Sequence, residues 1–262
     1  MVNFDKKLTL NTYPIITKSK FTYIDQGQGQ PLVLLHGLMG DISNFVAVIN
    51  HFSKTNRVIF PLLPLTEMSM FDATLPGLVR YTRKFIMTLK IQQYTLIGNS
   101  LGGHIALLYA LKYQSEIKSL VLTGSSGLFE SSLGDNYPRR SDYDYVKQKA
   151  EYTFYDPKTA SKELVDNIFE MVNNRSKVLR ILSFAKSAIR NNLKLDLPQI
   201  LIPVCLIWGK QDHITPYFVG EDFERLLPNA KLYSIDLCGH APMMERPLEF
   251  NNIVESYLEK LK

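Results

Sequence analysis

The chain is poor in cysteine. Its two thiols, Cys205 and Cys238, cannot build a disulfide framework, and neither stands in a Cys-x-x-Cys pair, so a stapled scaffold and a thioredoxin-type redox centre are both excluded. Cys205 lies in a strand-like apolar run and reads as a small buried thiol. Cys238, two residues before His240, reads as packing beneath a loop. Long apolar runs are missing as well, and none approaches the roughly eighteen residues that cross a bilayer. Met1 to Asn11 lacks the apolar core and cleavage site of a secretory signal, so a cytoplasmic location without stable membrane insertion is the expectation. No block of five like charges occurs. The net charge of +5, from 30 basic against 25 acidic residues, gives no warrant for a nucleic-acid partner.

What the chain does contain is 45% hydrophobic residues over a length of 262, enough for one sizeable core, so one domain with an insertion is expected. Phe21 to Asp25 and Leu32 to Leu35 are strand-like, and Gln26-Gly27-Gln28-Gly29-Gln30 between them suits a hairpin-type connection. Val58 to Phe60 follows as a short apolar run. Helical spacing then covers Leu75 to Leu89, strand pattern Tyr94 to Ile97, and helix again His104 to Leu111. Strands at Leu120 to Thr123, Val204 to Trp208 and Leu232 to Ile235, with helices at Tyr217 to Leu227 and Leu248 to Leu261, continue the alternation. This pattern predicts an α/β fold: a mostly parallel sheet, helices on both faces, ligands beyond the carboxyl ends of the strands.

The rhythm breaks between Gly124 and Leu195, a Tyr-rich and mainly helical stretch too long for a plain connection. It divides the chain into a core of residues 1–124 and 196–262 and a helical cap insertion at 125–195. Within the insertion, Arg175, Lys177, Arg180, Lys186, Arg190 and Lys194 occur with no acid among them. Val178, Ile181, Leu182, Ala185 and Ile189 share a helical face there. Such a helix can lie on a membrane or bind anions. The expectation is a cap helix with that apolar face over a pocket and its basic side chains in solvent.

The chemistry centres on Gly98-Asn99-Ser100-Leu101-Gly102, a Gly-x-Ser-x-Gly run between strand and helix. Glycines on both sides let a sharp turn project the Ser100 hydroxyl clear of the sheet, with the helix N-terminus aimed at the reacting centre. A serine hydroxyl near neutral pH needs a base, an orienting carboxylate and an oxyanion site. His240, in Cys238-Gly239-His240-Ala241-Pro242 after a strand, fits the base; His36, His51, His104 and His213 belong to less suitable settings. Asp212, following Val204 to Trp208, is the favoured acid, and Asp236 is the reserve. The oxyanion donors expected are the backbone N–H groups of Leu101 and of Leu38 in His36-Gly37-Leu38-Met39-Gly40.

These motifs, in this order, resemble the α/β-hydrolase superfamily over nearly the whole chain outside the cap. The Gly98 to Gly103 run and the cap segment from Phe154-Tyr155-Asp156-Pro157 through Glu163-Leu164 are similar to the hydrolases that cleave carbon–carbon bonds in ring-fission products of aromatic degradation. Three positions depart from that subgroup: Leu38-Met39-Gly40 after the His-Gly pair, Ile168 where the resemblance implies a cap arginine, and Ala241 where a tryptophan commonly follows the histidine. Arg175 or Arg180 is the substitute cation available nearby.

The resulting expectation is a serine hydrolase of a small ester or related acyl substrate. Ser100 is the nucleophile, His240 the base and then acid, Asp212 the orienter, with no metal and no organic cofactor. Gly37, Phe129, Tyr137, Tyr143, Tyr152, Phe154 and Met243 are the expected pocket residues. The partner is a small-molecule substrate, and the protein is a monomer or homodimer. The alternatives are a carbon–carbon bond hydrolase of a ring-fission dienoic acid and a ligand sensor that retains the triad.

Overall fold

Alternating side chains along each inner strand leave the sheet on opposite faces, and both faces are apolar. In β3 (Pro31–Leu35), Val33 and Leu35 pack on one side and Leu32 and Leu34 on the other. The same division holds for Leu96 against Ile97 in β5 (Tyr94–Asn99), Leu120 and Leu122 against Val121 in β6 (Ile117–Thr123), and Leu206 and Trp208 against Cys205 and Ile207 in β7 (Val204–Gly209). A strand buried on both faces needs helices on both faces. The Cys205 thiol lies in that dry interior, and burial pushes it up to about 12.

The computed structural model describes residues 13–129 and 139–261. With β1 (Ile16–Lys18), β2 (Phe21–Gln26), β4 (Arg57–Pro61) and β8 (Ala230–Ile235), the strands form one eight-stranded sheet in the order β1-β2-β4-β3-β5-β6-β7-β8. Pairing is parallel from β4 to β8 and antiparallel between β1, β2 and β4. One face is covered by α2 (Leu75–Leu89), α3 (Leu101–Tyr113) and α7 (Tyr217–Leu226). The other takes α1 (Val46–Phe52) and, after a short α8 (Pro242–Glu245), α9 (Pro247–Glu259). Helix α2 starts where Thr74 accepts a hydrogen bond from the Gly77 N–H, and it stops at Lys90 in the left-handed conformation.

Between β6 and β7 the described residues form α4 (Tyr143–Glu151), α5 (Lys162–Asn173) and α6 (Arg175–Arg190), and no strand. Helices α4 and α5 pack on each other and bury Val146, Ala150, Leu164, Val165, Ile168 and Val172 in a cluster continuous with the residues beneath α1 and α9. Helix α6 buries Ile181, Phe184, Ala185 and Ala188 in the α2/α3 layer. Ile189, expected on the buried face of α6, is half-exposed instead, and Phe184 takes the inward position.

The expected hairpin between the first two strand-like runs does not form. Strand β4 lies between β2 and β3, antiparallel to β2 and parallel to β3, so the Gln26–Gln30 connection crosses over a strand rather than folding tightly. Its glycines serve another need. A Cβ on Gly27, which has φ 77°, would lie 2.2 Å from the Asn56 carbonyl oxygen and 2.3 Å from that of Ser53. The connection therefore lies directly on the turn before β4, where only glycine fits. Gly27→Ala is expected to lower the unfolding free energy by about 1–3 kcal/mol, read from urea denaturation; an unchanged midpoint would contradict this packing.

Candidate active site

Strand β5 ends at Asn99 and α3 begins at Leu101, so Ser100 alone makes the turn. Its φ of 55° and ψ of −120° are sparsely populated for a side-chain-bearing residue, a strain of about 1–3 kcal/mol. Glycines make that turn possible. A Cβ on Gly102 would fall 2.0 Å from the Leu35 carbonyl oxygen, and one on Gly98 would fall 2.6 Å from Gly102. The Ser100 N–H donates to Thr123 O at 3.1 Å, while its carbonyl accepts from the N–H groups of His104 and Ser126, both at 3.2 Å.

Beside the elbow runs the Gly37–Gly40 loop, closed by Gly40 N–H donating to Gly37 O at 3.1 Å. Both its ends are fixed. Asp41 caps the following turn by accepting from Ser43 N–H at 2.7 Å, and His36 secures the near end. The His36 Nδ1 lies 2.9 Å from Gly37 O, which can only accept, so Nδ1 carries the proton and Nε2 accepts from Leu63 N–H at 3.1 Å. Burial holds this imidazole below its ordinary pKa, which preserves the neutral form those two bonds require. Leu38 is carried on this loop. Among the described residues no acceptor faces the N–H of Leu38 or of Leu101, the first residue of α3.

His240 and Asp212 meet across the ends of β8 and β7, with Nδ1 2.9 Å from Oδ2. The Asp212 side chain is fully buried. Its Oδ1 accepts from the N–H groups of Ile214 and Thr215 at 2.8 and 2.9 Å, and its Oδ2 accepts from the Thr215 hydroxyl at 2.9 Å. A carboxylate so supplied with donors accepts the Nδ1 proton, leaving Nε2 as the acceptor of the ring. Asp236, the reserve acid, is exposed and accepts from Gln211 Nε2 at 3.0 Å, which holds its carboxyl below the usual range. It does not approach His240.

The histidine loop is tied down from several directions. Asn99 Nδ2 donates to both Thr123 O and His240 O at 3.1 Å, linking that loop to the residue before Ser100. His240 N–H donates to Thr153 O at 3.0 Å. Glu245 accepts from Gly239 N–H at 3.0 Å with one oxygen and from Tyr155 N–H at 2.7 Å with the other. Burial raises the Glu245 carboxyl. Gly124, with φ 49°, leaves room for the imidazole, since a Cβ there would lie 2.8 Å from Nδ1.

Thr215, Asn99, Thr153 and Glu245 were not expected from the sequence. Asn99 occupies a free position of the Gly-x-Ser-x-Gly pattern, and a polar residue there was its only signal. His104 proves structural: its Nε2 donates to Asn191 O at 2.8 Å, so Nδ1 is the acceptor facing Ser126 Oγ at 3.2 Å.

Ser100, Asn99 and His240 open onto a cavity of about 370 Å³. Gly37, Tyr152 and Phe154 line it as expected pocket residues, together with Leu38 of the expected oxyanion loop, and are joined by Met39, Ala150, Leu164, Ile168, Lys149 and His213. The Tyr152 and His213 rings stack at 4.9 Å. Three other expected lining residues stand elsewhere. Phe129 packs edge-on against Phe218 at 5.4 Å, Tyr143 packs on Phe169 and donates to Asp166 at 2.6 Å, and Met243 is buried in the α1/α9 layer. Each is apolar or aromatic near a motif, and each packs on a core or helix neighbour instead. Tyr137 lies outside the described residues.

Comparison with known proteins gives consistent relatives. The family model described as the alpha/beta hydrolase fold matches residues 30–182 and 149–247. A crystal structure of an alpha/beta hydrolase enzyme from the metagenome of lagoon sediments at Mar Chica, Morocco, is 42% identical, covers 94% of this chain and 98% of that one, and superposes with a TM-score of 0.79. The 2-hydroxy-6-oxononadienedioate/2-hydroxy-6-oxononatrienedioate hydrolase of Paraburkholderia phymatum is 29% identical over 92% of this chain and 92% of its own length. Lipase 3 of Moraxella sp. is 26% identical over 97% of this chain and 86% of the lipase.

The buried neutral histidines set a pH dependence. Burial lowers His104 from 6.5 to about 4, so between those values the unfolded chain takes up a proton that the folded protein refuses. Stability is unaffected by His104 above that window and falls as pH drops through it, with a slope approaching about 1.4 kcal/mol per pH unit for one histidine. His36 contributes with the same sign. Urea unfolding measured from neutral pH downward should show this slope, and His104→Gln should reduce it; an equal slope in the variant would contradict the assignment.

Proposed function

The chain belongs to the alpha/beta hydrolase fold family and is a hydrolase, and from that premise we propose a serine hydrolase that cleaves a small carboxylic ester through an acyl-enzyme. The observation that carries the proposal is the Nδ1–Oδ2 distance of 2.9 Å between His240 and Asp212, beside a serine held at φ 55° on the same cavity.

In this reading, His240 Nε2 takes the Ser100 hydroxyl proton as Oγ attacks the ester carbonyl. Asp212 keeps the ring in the required tautomer and stabilises the imidazolium. The tetrahedral oxyanion is held by the Leu38 and Leu101 N–H groups, each contributing on the order of 3 kcal/mol to transition-state stabilisation. His240 then gives its proton to the departing alkoxide, leaving an acyl-Ser100. A water molecule repeats the sequence and releases the acid. The inserted helices α4 and α5, which supply Ala150, Leu164 and Ile168 to the cavity, act as its cap.

Apolar Leu38, Leu164 and Ile168 share the lining with Lys149 and His213, a mixed surface that suits a small ester with an apolar acyl group. Ile168 stands in that lining where the carbon–carbon bond hydrolases are expected to carry a cation. The Moraxella relative is named a lipase and the Paraburkholderia relative a dienedioate hydrolase. The second name keeps carbon–carbon cleavage as the reading to be separated by experiment.

A substrate panel makes that separation: aryl esters of increasing acyl length, a thioester and a dienoic ring-fission ketone, each with wild type and Ser100→Ala. Steady turnover of short and medium esters is expected, with kcat falling by about 10⁴-fold or more in Ser100→Ala and by a similar factor in Asp212→Asn. Wild-type rates in Ser100→Ala would contradict the nucleophile. A higher kcat/KM for the ketone than for every ester would replace the ester reading, and a single burst without turnover would identify a sensor.

A further inference from the structure

Helix α6 presents two unlike faces. Val178, Ile181, Phe184, Ala185 and Ala188 are buried against the body of the protein. At about 100° per residue, the opposite arc carries Ile189, Leu182, Arg175, Lys186, Leu179 and Arg190 in angular order. Leu179 and Ile189 remain 47% and 50% exposed there. Arg175 and Lys186 are exposed between them and Arg190 just beyond Leu179, and residues 175–194 include no acid.

Two basic side chains of this helix are already engaged. Lys177 pairs with Glu170 at 2.9 Å, and Arg180 donates to Met68 O at 2.6 Å. The remaining four, Arg175, Lys186, Arg190 and Lys194, have no carboxylate within ion-pair distance among the described residues.

The segment before α2 lies along one edge of the same helix. Arg180 holds it at Met68, Ser183 Oγ donates to Ala73 O at 2.8 Å, and Leu75 N–H donates to Ser187 Oγ at 2.9 Å. Between those anchors Phe71 stands 96% exposed. Just past the other end of the helix, directly after Lys194, Leu195 is 88% exposed.

Solvation explains the exposed cations but not the apolar side chains distributed among them. A second copy of the chain would set like charges against each other across a two-fold contact. A lipid surface carrying negative headgroups satisfies both sets at once, since apolar side chains enter the headgroup boundary while cations lie among the phosphates. No helix among the described residues is long and apolar enough to cross a membrane, so such attachment is peripheral. We infer that the outer face of α6, with Phe71 and Leu195 at its margins, seats the protein reversibly on an anionic lipid surface.

The test is co-sedimentation with vesicles of phosphatidylcholine alone and of phosphatidylcholine mixed with phosphatidylglycerol at about three to one. Wild type should partition to the anionic vesicles at least about tenfold more strongly and be released by salt. Lys186→Glu combined with Arg190→Glu should weaken that partition by at least about tenfold, and Phe71→Ser by several-fold. Urea midpoints equal to wild type establish that these surface variants remain folded. Equal partition to the two vesicle types, unaltered binding in both variants, or a doubled solution mass that the charge reversals abolish would each overturn the inference.

Discussion

The first turn of α3 lies against the ends of β3 and β5 at a separation only glycine permits. With the Leu35 carbonyl oxygen 2.0 Å from where a Gly102 side chain would begin, any other residue forces the helix away from the sheet. That contact goes with the positive φ of Ser100 and brings the start of the helix beside Gly37, where an added Cβ would lie 3.2 Å from Ser100 Cβ. Strain of this kind persists because it is over-determined. Three backbone hydrogen bonds to Ser100, from and to Thr123, His104 and Ser126, fix it on both sides.

The histidine is held by the rest of the fold. Asn99 joins its carbonyl to the end of β5, Thr153 accepts its N–H, and Glu245 bridges Gly239 to Tyr155. The residues that grip the loop, 153–155, immediately follow α4 and include wall residues of the cavity. Displacing this wall therefore displaces His240 as well, so the segment after α4 is part of the site's fixed frame. A half-buried carboxylate left without its N–H donors carries part of a desolvation penalty, and that gives Glu245 its hold on both segments.

Fold class and the order of the motifs were legible because each depends on local pattern. Short continuous apolar runs marked β3, β5, β6 and β7, and glycine spacing marked the elbow. Pairing was not legible: β2 and β3 look like a hairpin until β4, about thirty residues later, takes the place between them. The site divides in the same way. Ser100, Asp212 and His240 follow strands and carry recognisable neighbours, whereas Thr215, Thr153 and Glu245 act through contacts set by the fold. Phe129, Tyr143 and Met243 show why aromatic or apolar character near a motif does not identify a pocket wall. Ile189 shows the same on α6, where the face toward the core was shifted by Phe184.

The proposed activation of Ser100 by its neighbours is tested most directly by covalent labelling with a fluorophosphonate probe, followed by mass analysis of the peptide containing Ser100. Stoichiometric modification of Ser100 in the wild-type protein, lost in His240→Ala while the urea midpoint is retained, is the predicted result. Modification at another serine, or labelling of Ser100 that persists unchanged without His240, would contradict it.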